Sequence, residues 1–168
     1  EVLGTRGVAN PQAAYGDDVI TRIIYAARDE GLARLQGVVV ESVNEMIAAL
    51  ATDCGVGRDD ITAAVCAGNT TMTHLLLGVD PSYLRRDPYV PAATVAPVLP
   101  AAEVGLHIHP QGLLTCLPGV SSYVGGDIVA GVLASGMDDA EAPCMLLDLG
   151  TNGEIALGNR EWLVCCSA

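Results

Sequence analysis

The sequence contains no lysine and no phenylalanine, and all eight of its basic residues are arginines. The absence of lysine excludes a Walker-type lysine contact to a phosphate and a Schiff base to a carbonyl substrate. The 20 acidic residues outnumber the 8 basic ones, which gives a formal net charge of -12. Because so acidic a surface repels nucleic acid and anionic membranes, we expect neither as a partner.

The sequence also lacks any C-x-x-C pair among its six cysteines, which excludes a zinc site or a self-contained iron–sulfur site of the usual spacing. Four of the cysteines lie in apolar runs, which predicts reduced, buried thiols in a cytoplasmic protein rather than disulfides. There is no signal peptide and no apolar run of about 18 residues, so we predict neither secretion nor a membrane span.

Apolar periodicity predicts an α/β chain. Helical spacing predicts helices over 17–29 and 32–53, threonines suited to a helix cap predict a short helix from residue 70, and a Gly/Ala-rich run predicts one over 125–137. Short apolar runs between turn residues predict strands over 2–10, 59–69, 113–119, 144–150, 154–159 and 161–168. Six of the nine prolines fall within residues 78–112, which predicts an irregular excursion over the surface.

The segment "DLGTNGE" is a candidate phosphate site at the end of a predicted strand. In a glycine-rich turn, N–H groups can converge on phosphate oxygens without any lysine. That interpretation gives phosphate contacts to Gly150, Thr151, Asn152 and Gly153, while Asp148 orients a metal-bound water. Asn-Gly is also the commonest signal for a plain type I′ hairpin turn, so the motif alone leaves both interpretations open.

Two further segments place polar groups where a helix begins. In "VGGDIVAG", Gly125 and Gly126 permit close backbone approach, and Asp127 is either a helix N-cap or the carboxylate that positions an attacking water or Mg²⁺. In "CAGNTTM", the residues Gly68, Asn69 and Thr70 end a strand and open a helix. Such loops line the ligand cleft of open α/β sheets, although a capping threonine explains this one equally well.

The order of these motifs resembles a known family. A Gly-Gly-Asp helix start followed after about twenty residues by Asp-x-Gly-Thr is similar to the lobe junction of the acetate and sugar kinase, heat-shock chaperone and actin superfamily. Four longer segments resemble the C-terminal region of the reductive activators of corrinoid enzymes. They are "NPQAAYGDDVITRI", "AGNTTMTHLLLGVDP", "LPGVSSYVGGDIVAGVLASGM" and "LLDLGTNGEIALGN".

The resemblance implies a ribonuclease H-like, actin-type ATPase fold of which this chain is a central part. Residues 1–140 then belong to the first lobe, with the excursion at 78–112, and residues 141–168 supply the first strands of the second lobe. It implies ATP and Mg²⁺ as cofactors, with Asp127 and Asp148 as catalytic and metal-positioning carboxylates. Asn152 and its neighbours in the hairpin become the second phosphate loop.

The resemblance also implies what the chain works with. In that family a 2Fe–2S domain precedes the ATPase, and ATP hydrolysis drives the reduction of inactivated cob(II)alamin to cob(I)alamin in a methyl-transfer corrinoid protein. We therefore expect a corrinoid protein and an electron donor as partners, with a homodimer possible and the 2Fe–2S cluster held outside residues 1–168. A small-molecule kinase of the same superfamily and a non-catalytic binding module remain the alternatives. We expect the first phosphate hairpin and the adenosine loop to lie beyond the two ends, which would leave the chain inactive alone.

Overall fold

The computed structural model of the protein describes residues 1–150 and 152–167 and shows a mixed α/β architecture. The helices in this part of the chain are α1 (Val19–Ala26), α2 (Gly31–Cys54), α3 (Thr70–Leu77), α4 (Ala101–Val104) and α5 (Gly126–Ser135). The strands are β1 (Ala63–Cys66), β2 (Leu99–Pro100), β3 (Leu113–Cys116), β4 (Cys144–Leu149), β5 (Gly153–Asn159) and β6 (Trp162–Ser167). Short 3-10 turns cover Pro11–Tyr15, Arg58–Asp60 and Ser82–Arg85.

The strands form two separate three-stranded sheets. In the first sheet the order is β1-β3-β2, with β1 parallel to β3 and β2 antiparallel to it. In the second, β4, β5 and β6 form an antiparallel meander. Since β1 and β3 run in the same direction, the loops that leave their carboxyl ends lie side by side.

Local signals explain why the main helices were predictable. Helix α1 begins at a capping box, in which the Asp18 carboxylate accepts a hydrogen bond from the Thr21 N–H at 2.8 Å and the Thr21 hydroxyl accepts one from the Asp18 N–H at 3.3 Å. Helix α2 ends at Gly55, whose positive φ of 67° is the common C-terminal stop. Both predicted helices are confirmed, with ends that differ by a few residues.

Two hydrophobic clusters hold the sheets against their helices. The first joins α2 to the first sheet through the buried residues Val40, Ala101, Val104, Leu106, Ile108 and Leu114. The second joins α5 to the second sheet, with Ile128 and Val132 packed near Leu146 and Ala156. A side chain on Gly131 would place its Cβ 2.8 Å from Leu146 Cδ2, so this glycine allows α5 to approach β4 closely.

The predicted N-terminal strand is wrong. Residues 1–10 have no regular secondary structure, pair with no strand in the described part of the chain and are almost all exposed. Their contacts are with the end of α2, where Arg6 Nη1 lies 2.8 Å from Asp53 Oδ2. An exposed ion pair of this kind contributes little, about 0–1 kcal/mol, and does not define a strand.

The predicted surface excursion over 78–112 is right for its middle and wrong for its end. Residues 86–98 are irregular and mostly exposed. Residues 99–108, however, contain β2 and α4 and supply four buried members of the first cluster. The apolar residues there are interrupted by proline and glycine, so their pattern is too short to show either the helical or the strand period.

The cysteine prediction is only partly correct. All six thiols are free, as predicted. Cys116 is buried and Cys54 and Cys66 are half-buried, but Cys144, Cys165 and Cys166 are exposed on the second sheet, which the described residues cover only through α5. Among the described residues, no helix combines the length and apolarity needed to cross a membrane.

Candidate functional site

The loops after β1 and β3 meet at the carboxyl end of the first sheet. The Leu117 N–H donates to Cys66 O at 2.8 Å, which extends the pairing of β1 and β3 by one step. Beyond this, the Thr70 hydroxyl donates to Ser121 O at 2.7 Å. The predicted loop 68–70 is therefore fixed against the segment that leads into α5.

Gly125 brings the start of α5 into direct contact with that loop. A Cβ on Gly125 would lie 2.6 Å from both Asn69 Cα and Thr70 N, a distance that no real side chain tolerates. A Cβ on the neighbouring Gly126 would likewise lie 2.6 Å from Leu117 O. One residue further, the Asp127 N–H donates to Gly68 O at 3.2 Å. The motifs "CAGNTTM" and "VGGDIVAG" are therefore packed backbone to backbone and form one unit.

The predicted helix cap is wrong for Asp127, whereas the loop 68–70 does contain a helix cap. The N-cap of α5 is Gly125, and Asp127 lies in the first turn with its Oδ1 accepting from the Ile128 N–H at 2.9 Å, so the N-cap interpretation of Asp127 is wrong. The N-cap of α3 is Asn69, whose Oδ1 accepts from the Met72 N–H at 2.8 Å. A cap explains this loop, but the residue is Asn69 and not a threonine.

The hairpin between β4 and β5 differs from a type I′ turn. Gly153 is the first residue of β5 and pairs with Leu149, so the connection spans three residues, 150–152, and Asn-Gly is not its centre. Within it the Gly150 N–H donates to Asn152 O at 3.0 Å, which leaves that donor engaged inside the loop. The predicted phosphate contact of Thr151 lies outside the described residues.

A cavity of about 210 Å³ lies between this hairpin, the start of α5, the cap of α3 and the start of α1. Five of the predicted site residues line it, namely Asn69, Asp127, Asp148, Gly150 and Asn152. Thr70 instead lines a smaller adjoining cavity. The other predicted glycines of the site, Gly68, Gly125, Gly126 and Gly153, are not among the residues that line this cavity.

Glu154 is a residue of this cavity that the sequence prediction missed. It pairs directly with Asp148 across the hairpin, so both carboxylates lie on the same face of the sheet. Burial raises the pKa of Glu154 above its ordinary value, and the charges of Asp127 and Asp148 raise it further, against a smaller opposing effect of the Ser167 hydroxyl. The three carboxylates therefore share one negative potential.

We predict that Glu154→Gln stabilises the full-length protein without ligand in a pH-dependent way. A raised carboxyl pKa favours the folded state only below the ordinary Glu pKa, and this advantage is lost as pH rises through the folded-state pKa. The variant should therefore match the wild type at low pH and exceed it at neutral pH, as measured by urea unfolding across a pH series. Glu161→Gln, in the exposed turn after β5, is the control. A gain that does not vary with pH would contradict the prediction.

The start of α1 supplies three more charged groups that the motifs did not assign. Asp17, Asp18 and Arg22 all line the cavity. The backbone N–H of Thr21 lowers the pKa of Asp18, as its capping role requires. The sequence could have indicated that Arg22 is buried, because it stands on the apolar face of α1 with Val19, Ile23 and Ala26, but it does not indicate that the side chain reaches this cavity.

Comparison with known proteins identifies the family. The family model described as the RACo middle region matches residues 1–140, which is most of the chain. The chain belongs to the RACo family. A second model, described as the C-terminal domain of RACo, the ASKHA domain, matches residues 142–168. The predicted actin-type α/β fold, present in part, is thereby confirmed.

Two RACo relatives show how much of such a protein this chain represents. It is 35% identical over 159 residues to the corrinoid activation enzyme RamQ of Eubacterium limosum, covering 94% of this chain and 26% of that protein. It is 49% identical to a solved structure, "Reductive activator for corrinoid, iron-sulfur protein", with a TM-score of 0.96 over 99% of this chain. That match covers 27% of the solved chain, so residues 1–168 correspond to about a quarter of either relative.

Proposed function

We propose that the chain is the central part of an ATP-hydrolysing activator that reduces an inactivated corrinoid from cob(II)alamin to cob(I)alamin. The observation that carries this is the cavity, where a strand-end aspartate, a glycine-containing hairpin and the first turn of α5 meet. The names of the two relatives support the corrinoid as the target. The actin-like match supports ATP as the ligand.

In this proposal Asp127 is the base or the carboxylate that positions the attacking water. It lies in the first turn of α5, half-buried, and its Oδ2 makes no hydrogen bond to another described residue. The hydrogen bond from its backbone N–H to Gly68 O fixes its position. A carboxylate held in this way can orient a water in line with a phosphoryl group, which is most of what phosphoryl transfer requires from a protein.

Asp148 and Asp127 fit a magnesium ion bound through water. Mg²⁺ in nucleotide sites usually takes one or two protein carboxylates and completes its shell with waters and phosphate oxygens. Within residues 1–150 and 152–167 no group of three or more His, Cys, Asp or Glu side chains forms a metal cage. The donor set therefore suits an ion that arrives with ATP, and the ion would neutralise charge on the phosphates.

Further proposals concern the protein as a whole. Residues 1–140 and 141–168 belong to two lobes that close on the nucleotide, and the first phosphate hairpin and the adenosine loop come from residues outside this range. A 2Fe–2S domain outside this range passes electrons from a donor to the corrinoid protein. Location in the cytoplasm and a homodimer are parts of the same proposal.

The proposal is tested with the full-length protein, a corrinoid partner in the cob(II)alamin state, a low-potential electron donor, Mg²⁺ and ATP. We expect cob(I)alamin to accumulate, as followed by its absorbance, together with release of ADP. A non-hydrolysable ATP analogue should stop the reduction. Equal reduction without ATP would contradict the coupling, and a phosphorylated small molecule formed without any redox partner would indicate a kinase.

A further inference from the structure

Arg22 is a buried cation that faces the cavity. The residue is only 9% exposed. Its Nε donates to Gly16 O at 2.8 Å and its Nη2 to Asp17 O at 3.2 Å. Its Nη1 has no hydrogen-bond partner among residues 1–150 and 152–167, and it is not among the fully buried unpaired atoms there. Since the residue lines the cavity, Nη1 is the guanidinium nitrogen available to a ligand.

Arg22 also has no carboxylate partner, although five carboxylates line the same cavity. The ion pairs within 4 Å in the described part of the chain are Arg6 with Asp53 and Arg160 with Glu141. Buried charges in proteins are normally paired with an opposite charge or bound to an ion. The guanidinium is anchored by two backbone carbonyls, and its charge is felt by Asp18, whose pKa it helps to lower, without a direct ion pair.

Helix stability does not explain the position. Arg22 follows the N-terminus of α1 by one turn, where the helix dipole disfavours a cation. Nor does the surrounding face of the helix require a charge, since its other buried members, Ile23 and Ala26, are apolar. The arginine is therefore placed for an interaction outside its own helix.

We propose that Arg22 contacts the γ-phosphate of ATP and makes the cleft prefer ATP to ADP. This rests on the proposed function, in which the same cavity receives the terminal phosphates. A planar guanidinium binds phosphate oxygens with strong, directional hydrogen bonds. In a chain without lysine, Arg22 supplies the fixed positive group that such sites need.

The negative charge around the cavity explains why this contact selects for the γ-phosphate. Asp17, Asp18, Asp127, Asp148 and Glu154 repel a polyphosphate, so Mg²⁺ must offset them for either nucleotide, and Arg22 adds a positive contact for the additional phosphate of ATP. Arg22 shares the cavity with Asp127, which is proposed to position the water that attacks the γ-phosphate. Loss of that phosphate on hydrolysis therefore returns the buried guanidinium to its unpaired state and favours release of ADP.

The test compares ATP and ADP affinities of full-length variants by calorimetric titration in Mg²⁺. For Arg22→Gln we expect ATP to bind roughly 10- to 100-fold more weakly, which is the size of a hydrogen bond to a charged group, and ADP to bind within about twofold of wild type. Arg22→Lys should keep part of the preference, because it keeps the charge but not the planar group. Arg28→Gln, at the exposed end of the same segment where Arg28 stacks on Tyr25, is the control.

The outcomes separate this inference from the proposed function. Equal weakening of ATP and ADP by Arg22→Gln, or an unchanged ratio of the two affinities, would overturn the inference. If Arg22→Gln fails to fold because the bonds to Gly16 and Asp17 are lost, the ratio measured for Arg22→Lys decides instead. A wild type that neither binds nor hydrolyses ATP overturns the proposed function. A wild type that prefers ATP, with Arg22→Gln equally selective, overturns the role of Arg22 alone.

Discussion

Replacing Asp127 with asparagine should lower ATP turnover by the full-length protein roughly 10²- to 10⁴-fold, the usual contribution of a positioned general base. The amide keeps the shape of the side chain and can accept the bond from the Ile128 N–H, so the start of α5 should remain folded. It cannot take a proton from water. Turnover is measured as phosphate release, and ATP affinity is measured separately to show that the loss lies in the chemical step.

The nearby Asp148→Asn variant should behave differently. If Asp148 holds the waters of the magnesium ion, its loss should raise the Mg²⁺ concentration needed for half-maximal turnover by roughly 10- to 100-fold, while saturating Mg²⁺ restores part of the rate. Asp139→Asn, in the exposed turn after α5, is the matched control and should leave both quantities unchanged. If the two single variants, Asp127→Asn and Asp148→Asn, both hydrolysed ATP at the wild-type rate, neither residue would belong to the site.

The second large effect is expected from Gly125→Ala. A methyl group at this position would lie 2.6 Å from backbone atoms of Asn69 and Thr70, which cannot rotate away as a side chain can. Forcing an extra carbon into a closed contact usually costs about 1–3 kcal/mol, so the free energy of unfolding should fall by that amount. The loop 68–70 should also shift, and ATP affinity should fall with it.

Gly37→Ala provides the control for this substitution. Gly37 lies inside α2, and beyond the backbone of its own helix no atom lies within 4 Å of the added carbon. Alanine is better than glycine in a helix by about 1 kcal/mol, so this variant should be more stable than the wild type. Both changes are compared by urea unfolding. An unfolding midpoint for Gly125→Ala equal to that of the wild type would show that α5 can move away from the loop without cost.

Most of the secondary structure could be predicted because local chemistry specifies it. Apolar spacing and end signals located α1 and α2, a Gly/Ala-rich run located α5, and short apolar runs between turn residues located β4, β5 and β6. The secondary-structure predictions failed where contacts between residues distant in sequence decide the structure. Residues 2–10 have the composition of a strand but pair with nothing in the described part of the chain. Residues 99–108 lie in the proline-rich segment 78–112 but supply four buried residues of the first core.

The candidate site was predictable only where a motif is continuous in sequence. Asp127, Asp148 and Asn69 follow turn and helix-start signals, and the structure brings them to one cavity. Glu154 depends on the exact register of the β4–β5 hairpin, which a type I′ interpretation places wrongly. Arg22 depends on where α1 lies relative to the hairpin, about 130 residues away in sequence, and no local pattern gives that distance.

The glycine at position 131 has a mechanical consequence for the cleft. Because α5 carries Asp127 at its first turn and rests on Leu146 through Gly131, the helix lies between the loop of the first sheet and the hairpin of the second. The Leu146 side chain packs on a part of the helix that has no side chain, whereas the start of the helix is in close backbone contact with Asn69. A larger residue at 131 would push α5 away from Leu146, so this single position offers a way to change the spacing between α5 and the second sheet without altering any residue of the proposed nucleotide site.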